Sequence, residues 1–260
     1  MNYFVLHFQL FLLILIRINS MMVAAPFYSS PNIPLRLKII LSFFVALVVF
    51  PVIQASGVIT IPPSMGEYYI LVLQQIIIGI YIGFLVSVIF SAFQLAGQFF
   101  AIQIGFGINE VLDPLSQVSI PIVGQLKNLI ALLIFLAMDG HHFMVNAICR
   151  SFELAPSIAA ASAPLAHLAQ YLVYAFSGMF IIALKIALPV VAAIFLVSVS
   201  MGILAKAAPQ MNILMLGFPF KIMTTFAMLV VMSPLIIRIM VVTMERIFAL
   251  LTRVMGQWPV

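Results

Sequence analysis

Histidine and carboxylate side chains crowd together at Asp139-Gly140-His141-His142, where the residue types would suit a divalent metal. The spacing argues against one. Neighbouring residues on a helix point about 100° apart, no HExxH pairing is present, and no second acid cluster supplies a further ligand and a base. The two histidines are therefore read as structural or interfacial, and an intramembrane metalloenzyme is set aside. Cys149 is the single cysteine, which rules out an internal disulfide and leaves no thiol pair for a metal. The sequence predicts no catalytic residue, no metal and no cofactor.

A second group of polar residues is more unusual. The run Gly105-Phe106-Gly107-Ile108-Asn109-Glu110-Val111-Leu112-Asp113-Pro114 continues as Leu115-Ser116-Gln117-Val118-Ser119-Ile120-Pro121 and holds two of the six acids. Its glycines loosen it, its prolines stop it from becoming one helix, and strongly apolar stretches flank it. One reading is an ordinary loop outside the membrane. The other is a re-entrant segment inside a pore, because non-helical backbone at membrane depth is tolerated only within protein or beside water.

The stretch before that run carries a polar stripe. With Ser87 at zero and about 100° per residue, Gly83, Ser91, Gln94, Gln98 and Ala101 fall on the same face, with Gly79 and Gly97 beside them. Such a face is either a close helix-packing seam or a wall facing water or moving polypeptide; two glutamines lean toward the wall, since lipid would leave their amides unpaired. Arg17, Lys185 and Arg238 also sit within apolar stretches. An unpaired charge there costs about 2.5–3.5 kcal/mol on insertion scales, so each is expected to face protein, water or a headgroup.

The elements that must hold these residues are membrane helices. Of 260 residues, 65% are hydrophobic and 7% charged, with a mean hydropathy of +1.30, whereas soluble domains carry roughly 25% charged residues. The formal charge of +5 reflects scarce acids, and its bases are scattered singly, so no nucleic-acid footprint is present. Apolar stretches run about 3–25, 39–54, 68–104, 128–149, 168–205 and 211–252. A bilayer core takes about 20 helical residues, so the longest stretches must break, tilt or leave the bilayer. Gly79, Gly83, Pro189, Pro219 and Pro234 are the expected breakers. The run from Phe4 to Ile16 lacks a preceding base and is interrupted by Arg17, so it reads as a retained helix and not as a cleaved signal. Bases mark successive loops on both sides, and the positive-inside signal is weak.

These residues resemble a family. Gln74-Gln75-Ile76-Ile77-Ile78-Gly79-Ile80-Tyr81-Ile82-Gly83-Phe84 is followed by Ala96-Gly97-Gln98, Gln103-Ile104-Gly105, Asp113-Pro114 and Gly140-His141. Ala208-Pro209-Gln210 and Gly217-Phe218-Pro219 then follow in the same order. Arg17 and the stretch from Ala25-Pro26 to Arg36 match the family's opening, and Glu245-Arg246-Ile247-Phe248 its closing helix. Together they are similar to the FliR family of flagellar export proteins over nearly the whole chain. Gln98 departs from the pattern, since the family often has Glu there, which puts a charge-based role at this position in doubt.

The resemblance implies an all-α membrane protein of long broken helices and helical hairpins that forms part of a helical hetero-oligomeric pore. It implies a FliP-like part over about 1–167, a FliQ-like hairpin over about 168–260, and a plug at 105–121. Expected partners are FliP-like and FliQ-like subunits, FlhB-like and FlhA-like export components, unfolded export substrates and the lipid bilayer. The expected place is the bacterial inner membrane at the flagellar basal body. An injectisome homologue is the alternative within this reading. A small secondary transporter is the alternative outside it, but its paired broken helices and midplane ion site are not found. No GxxxxGK[ST] loop is present, so the energy for export would come from elsewhere.

Overall fold

Apolar side chains run almost without interruption along the segments that form the elements, and in such segments only a helix satisfies every backbone polar group internally. The computed structural model describes residues 2–26, 28–29, 33–105, 122–157, 162–210 and 213–256. Its regular elements are seven helices among the described residues: α1 (Asn2–Ala24), α2 (Leu35–Ser56), α3 (Met65–Ile104), α4 (Ile122–Ala137), α5 (Gly140–Leu154), α6 (Ser162–Ala207) and α7 (Ile213–Gly256). Five are long and apolar enough to cross a membrane, and α4 with α5 forms a bent pair that makes up to six.

The expected breakers do not break their helices. Gly79 and Gly83 lie inside the continuous 40 residues of α3, Pro189 inside the 46 of α6, and Pro219 and Pro234 inside the 44 of α7. A helical glycine costs only about 1 kcal/mol and a proline about 3. With no water nearby to take the freed carbonyl, leaving the helix would cost more. The break falls instead within the 128–149 stretch, where α4 and α5 meet at 70°. Asp139 adopts a left-handed conformation there (φ 55°). Its N–H donates to the Leu136 carbonyl at 3.1 Å, and its own carbonyl accepts from Phe143 N–H at 3.0 Å to start α5. Gly140 is needed beside it, because a Cβ would run into the Phe135 ring.

The chain forms two compact units. The first comprises Met1–Ile89, Phe135–Phe176 and Glu245–Val260. Its buried residues include Leu13, Ile14, Ile18 and Met21 of α1, Ile78 and Ile82 of α3, Ile148 and Phe152 of α5, and Ile247 and Leu251 of α7. Phe11 joins α1 to α2 through edge contacts with Phe43 at 5.5 Å and Phe50 at 5.9 Å, and Phe143 stacks on Phe248 at 3.9 Å. The second unit comprises Phe90–Ile134 and Ser177–Met244. It buries Phe93, Ala96 and Phe100 of α3, Ala131 of α4, Ala183, Val190 and Ile194 of α6, and Thr225 and Met240 of α7.

Candidate functional site

The best-organised polar site lies in the first unit, and two glycines place it. Gly79 and Gly83 are one turn apart on α3, and both are pressed against α1. A Cβ on Gly79 would collide with Ser20 Oγ and the Arg17 carbonyl, and one on Gly83 would lie 2.6 Å from the Met21 carbonyl and 2.8 Å from Ala24 Cβ. This is the close backbone approach that small residues at four-residue spacing allow between membrane helices. Gln75, one turn before Gly79, continues the line, so the approach that brings α1 onto Gly79 also delivers Arg17 to Gln75.

Arg17 and Gln75 are both fully buried. Arg17 Nε donates to Gln75 Oε1 at 2.6 Å. Nη1 donates to the Ser151 carbonyl at 2.8 Å and to Ser151 Oγ at 3.0 Å, and Nη2 to the carbonyls of Ala155 at 2.9 Å and Pro156 at 3.1 Å. These five bonds match the five N–H donors of a guanidinium. Its plane also sits 4.1 Å from the centre of the Phe152 ring, a cation–π contact. Gln75 Nε2 donates to the same Pro156 carbonyl at 2.9 Å, which fixes the orientation of its amide.

The acceptors explain how a cation is tolerated here without a carboxylate. Ser151 is in the last turn of α5 and Ala155 is its cap. The Ser151 carbonyl already accepts the Ala155 N–H at 2.9 Å and uses its second lone pair for Arg17, while the carbonyls of Ala155 and Pro156 lie past the end of α5. All three sit at the negative end of its macrodipole, so α5 presents Arg17 with concentrated partial negative charge. The arrangement holds α1, α3 and the end of α5 at one point. The Ser151 hydroxyl donates to the Ile148 carbonyl at 2.6 Å, and the bonds the arrangement makes are those of a clamp.

Of the other residues singled out in the sequence, Gly83 is the buried seam residue just described. Ser87, Ser91, Gln94 and Gln98 are half-buried along α3. Gly105 ends α3 with φ 104°, a conformation open to glycine, and its N–H donates to the carbonyls of Ala101 and Ile102, both at 3.1 Å. Phe106, Gly107, Ile108, Asn109, Glu110, Val111, Leu112, Asp113 and Pro114 lie outside the described residues. Of the three charges within apolar stretches, Arg17 faces protein, while Lys185 and Arg238 are exposed. His141 and His142 are closer than the helical step suggested, with ring centres 4.2 Å apart, and Asp139 joins them from the helix break.

Sequence reading gave Gln75 no role, and it did not identify Ser151 or Pro156. An amide inside an apolar run is a signal for Gln75, since its polar atoms need partners at that depth. Pro156 acts through its carbonyl, which any residue would supply, and so leaves no trace in the sequence.

Residues 8–247 match the family described as bacterial export proteins, family 1. The chain belongs to this family, the FliR family. It is 34% identical over 235 residues to the flagellar biosynthetic protein FliR of Bacillus subtilis (strain 168), covering 89% of this chain and 88% of that one. To FliR of Escherichia coli (strain K12) it is 28% identical over 246 residues, covering 94% and 92%. To FliR of Aquifex aeolicus (strain VF5) it is 26% identical over 222 residues, covering 85% and 83%. Within this FliR-family chain both the Arg17 clamp and the Gly79–Gly83 seam fall inside the matched region.

Proposed function

We propose that the chain is a subunit of the flagellar type III export gate, assembling with FliP-like and FliQ-like subunits into the pore through which unfolded flagellar proteins leave the cell. It acts as a structural part of the conduit and not as an enzyme. FlhB-like and FlhA-like components would dock on the same assembly, at the bacterial inner membrane within the basal body. Family membership supports the export role, and one structural observation supports assembly. In α6 and α7 the spans Ala169–Ala207 and Met215–Val254 are strongly apolar, yet only 28% and 17% of their apolar windows are buried within the chain, against 61% for α3. At about 1.5 Å per residue these helices run about 60 Å, twice the roughly 30 Å hydrocarbon core. Lipid alone would cover about half of such a length, and neighbouring subunits are the natural cover for the rest.

The glycines of α6 support the same reading. Gly178 and Gly202 lie within the helix, where glycine is costly, and a Cβ on either would meet nothing within 4 Å. Among the described residues nothing needs them small. A closely packed neighbour outside the chain would. In this reading the first part, about 1–167, is FliP-like and the last, about 168–260, is a FliQ-like hairpin.

The segment 105–121 is proposed as the plug. A channel wide enough for an unfolded chain also passes ions, so a resting gate needs a displaceable obstruction. Phe106, Ile108, Val111 and Leu112 supply apolar contacts that exclude water; Asn109, Glu110 and Asp113 supply hydrogen bonds that anchor the closed form; Gly105 and Gly107 supply hinges. Gly83, Ser87, Ser91, Gln94 and Gln98 serve as packing or pore-facing positions on α3.

Photoreactive amino acids at Leu196 of α6 and Val230 of α7, which are 65% and 73% exposed, test the assembly. Irradiation of cells should give adducts with other membrane subunits. A scan of both helices that yields no protein adduct would count against the reading.

A further inference from the structure

Asp139, His141 and His142 occupy the polar apex where α4 bends into α5, and each offers a ligand atom within 4.8 Å of the others. We propose that this apex is a binding site for a divalent transition-metal ion of the zinc class, held by one carboxylate and two imidazoles with water completing the shell.

Three observations carry the assignment. First, the Asp139 carboxylate is not spent on capping α5, and the partner it faces is His142. Aspartate at a helix start ordinarily accepts a backbone N–H of the first turn, but Asp139 makes no such capping bond. Its left-handed backbone turns the side chain toward His142 instead. Second, the spacing fits an ion better than a direct bond. Asp139 Oδ1 and His142 Nδ1 are 3.5 Å apart, whereas a charge-assisted N–H···O bond closes to about 2.7–2.9 Å. Ligands about 2.1 Å from a tetrahedral zinc ion stand about 3.4 Å from one another. Third, His141 Nδ1 is enclosed and has no hydrogen-bond partner among the described residues, and a buried polar atom in that state is costly unless something else satisfies it.

The donor set selects the ion class. Two imidazole nitrogens and one carboxylate suit zinc, nickel or copper better than calcium or magnesium, which take oxygen ligands. Asp139 and His142 side chains are 74% and 76% exposed, so an ion reaches these two directly, and His141, whose Nδ1 is enclosed, joins them by a turn of its ring. Asp139 is the break and the histidines open α5, so a bound ion ties the break to the first turn of α5.

The test uses the full chain, purified in detergent with its co-purifying subunits, stripped with chelator and titrated with Co2+ and with Zn2+. Bound metal is counted by elemental analysis after desalting, and Co2+ coordination is followed by visible absorbance. Asp139→Asn is the informative variant, since asparagine tolerates the left-handed backbone and keeps the side-chain volume; His142→Ala and His141→Ala complete the set. The site predicts one ion retained per chain, a cobalt spectrum with nitrogen and oxygen ligands, and at least tenfold weaker binding in each variant with elution and helical content unchanged. Absence of retained metal in the native chain overturns the proposal, and so does retention that Asp139→Asn and His142→Ala leave unaltered. If His141→Ala fails to assemble, the other two variants still decide the question.

Discussion

Arg17 and Gln75 lie 58 residues apart in sequence, and their side chains meet at 2.6 Å in a fully buried contact. Gln75 relays that contact to the Pro156 carbonyl, and Arg17 reaches the same atom directly. A single cation thereby fixes the crossing of α1 on α3 to the end of α5. Burying it is feasible because a fork of five donors meets five well-placed neutral acceptors; a buried charge with fewer partners would be strongly destabilising.

Replacing Arg17 by alanine should cost about 3 kcal/mol or more, because each stranded buried acceptor costs about 1–3 kcal/mol. Lysine offers three donors and no planar fork, so Arg17→Lys should recover only part of the loss. Thermal unfolding of the purified chain in detergent, with accumulation in the membrane as a second readout, gives the order native, Lys, Ala. Full recovery with lysine would mean that charge alone matters.

Gly79→Ala and Gly83→Ala should separate α1 from α3, since the added Cβ meets backbone atoms that cannot step aside. Overpacking of this kind costs typically about 1–3 kcal/mol. Gly178→Ala sets the contrast. With open space around it, the isolated chain should gain up to about 1 kcal/mol from better helix propensity, while assembly in the membrane weakens if α6 packs on a neighbour. Unfolding of the isolated variant and recovery of the complex separate the two effects. A stabilised variant that assembles normally would remove the glycine argument for a partner on α6.

The helices were legible in the sequence because an apolar run has one good solution in lipid. The stretch 68–104 became α3 over Met65–Ile104, and the gap between the 168–205 and 211–252 stretches became the joint after Ala207, where Ala208-Pro209-Gln210 separates α6 from α7. Breaks were less legible. Gly79, Gly83, Pro189, Pro219 and Pro234 looked like punctuation, but their cost is smaller than that of exposing backbone polar groups to lipid. Asp139 stops a helix through a left-handed conformation that residue type alone does not announce. Arg17 was expected to face protein, water or a headgroup, and it faces protein. Which acceptors it finds depends on how α5 is brought beside α1, and that is set by packing across more than 130 residues.

If the proposed plug is right, deletion of 106–112 should leave the assembly intact and raise ion leakage, because a plug seals locally while the packing seams lie elsewhere. Growth should become salt-sensitive. An ordinary loop tolerates shortening with no change in leakage or secretion, so normal ion tightness in an assembled deletion variant would refute the plug. Membrane conductance, measured after assembly is verified, checks this.

The central claim is that this chain works as one subunit of a larger export gate. Its most direct test is the native mass of the tagged chain purified from its own membrane. The expected result is a complex much heavier than one chain, containing other membrane subunits in fixed ratio, with export lost when the chain is deleted. A chain that leaves its own membrane only as a monomer, or flagellar export that continues after its deletion, would contradict the claim.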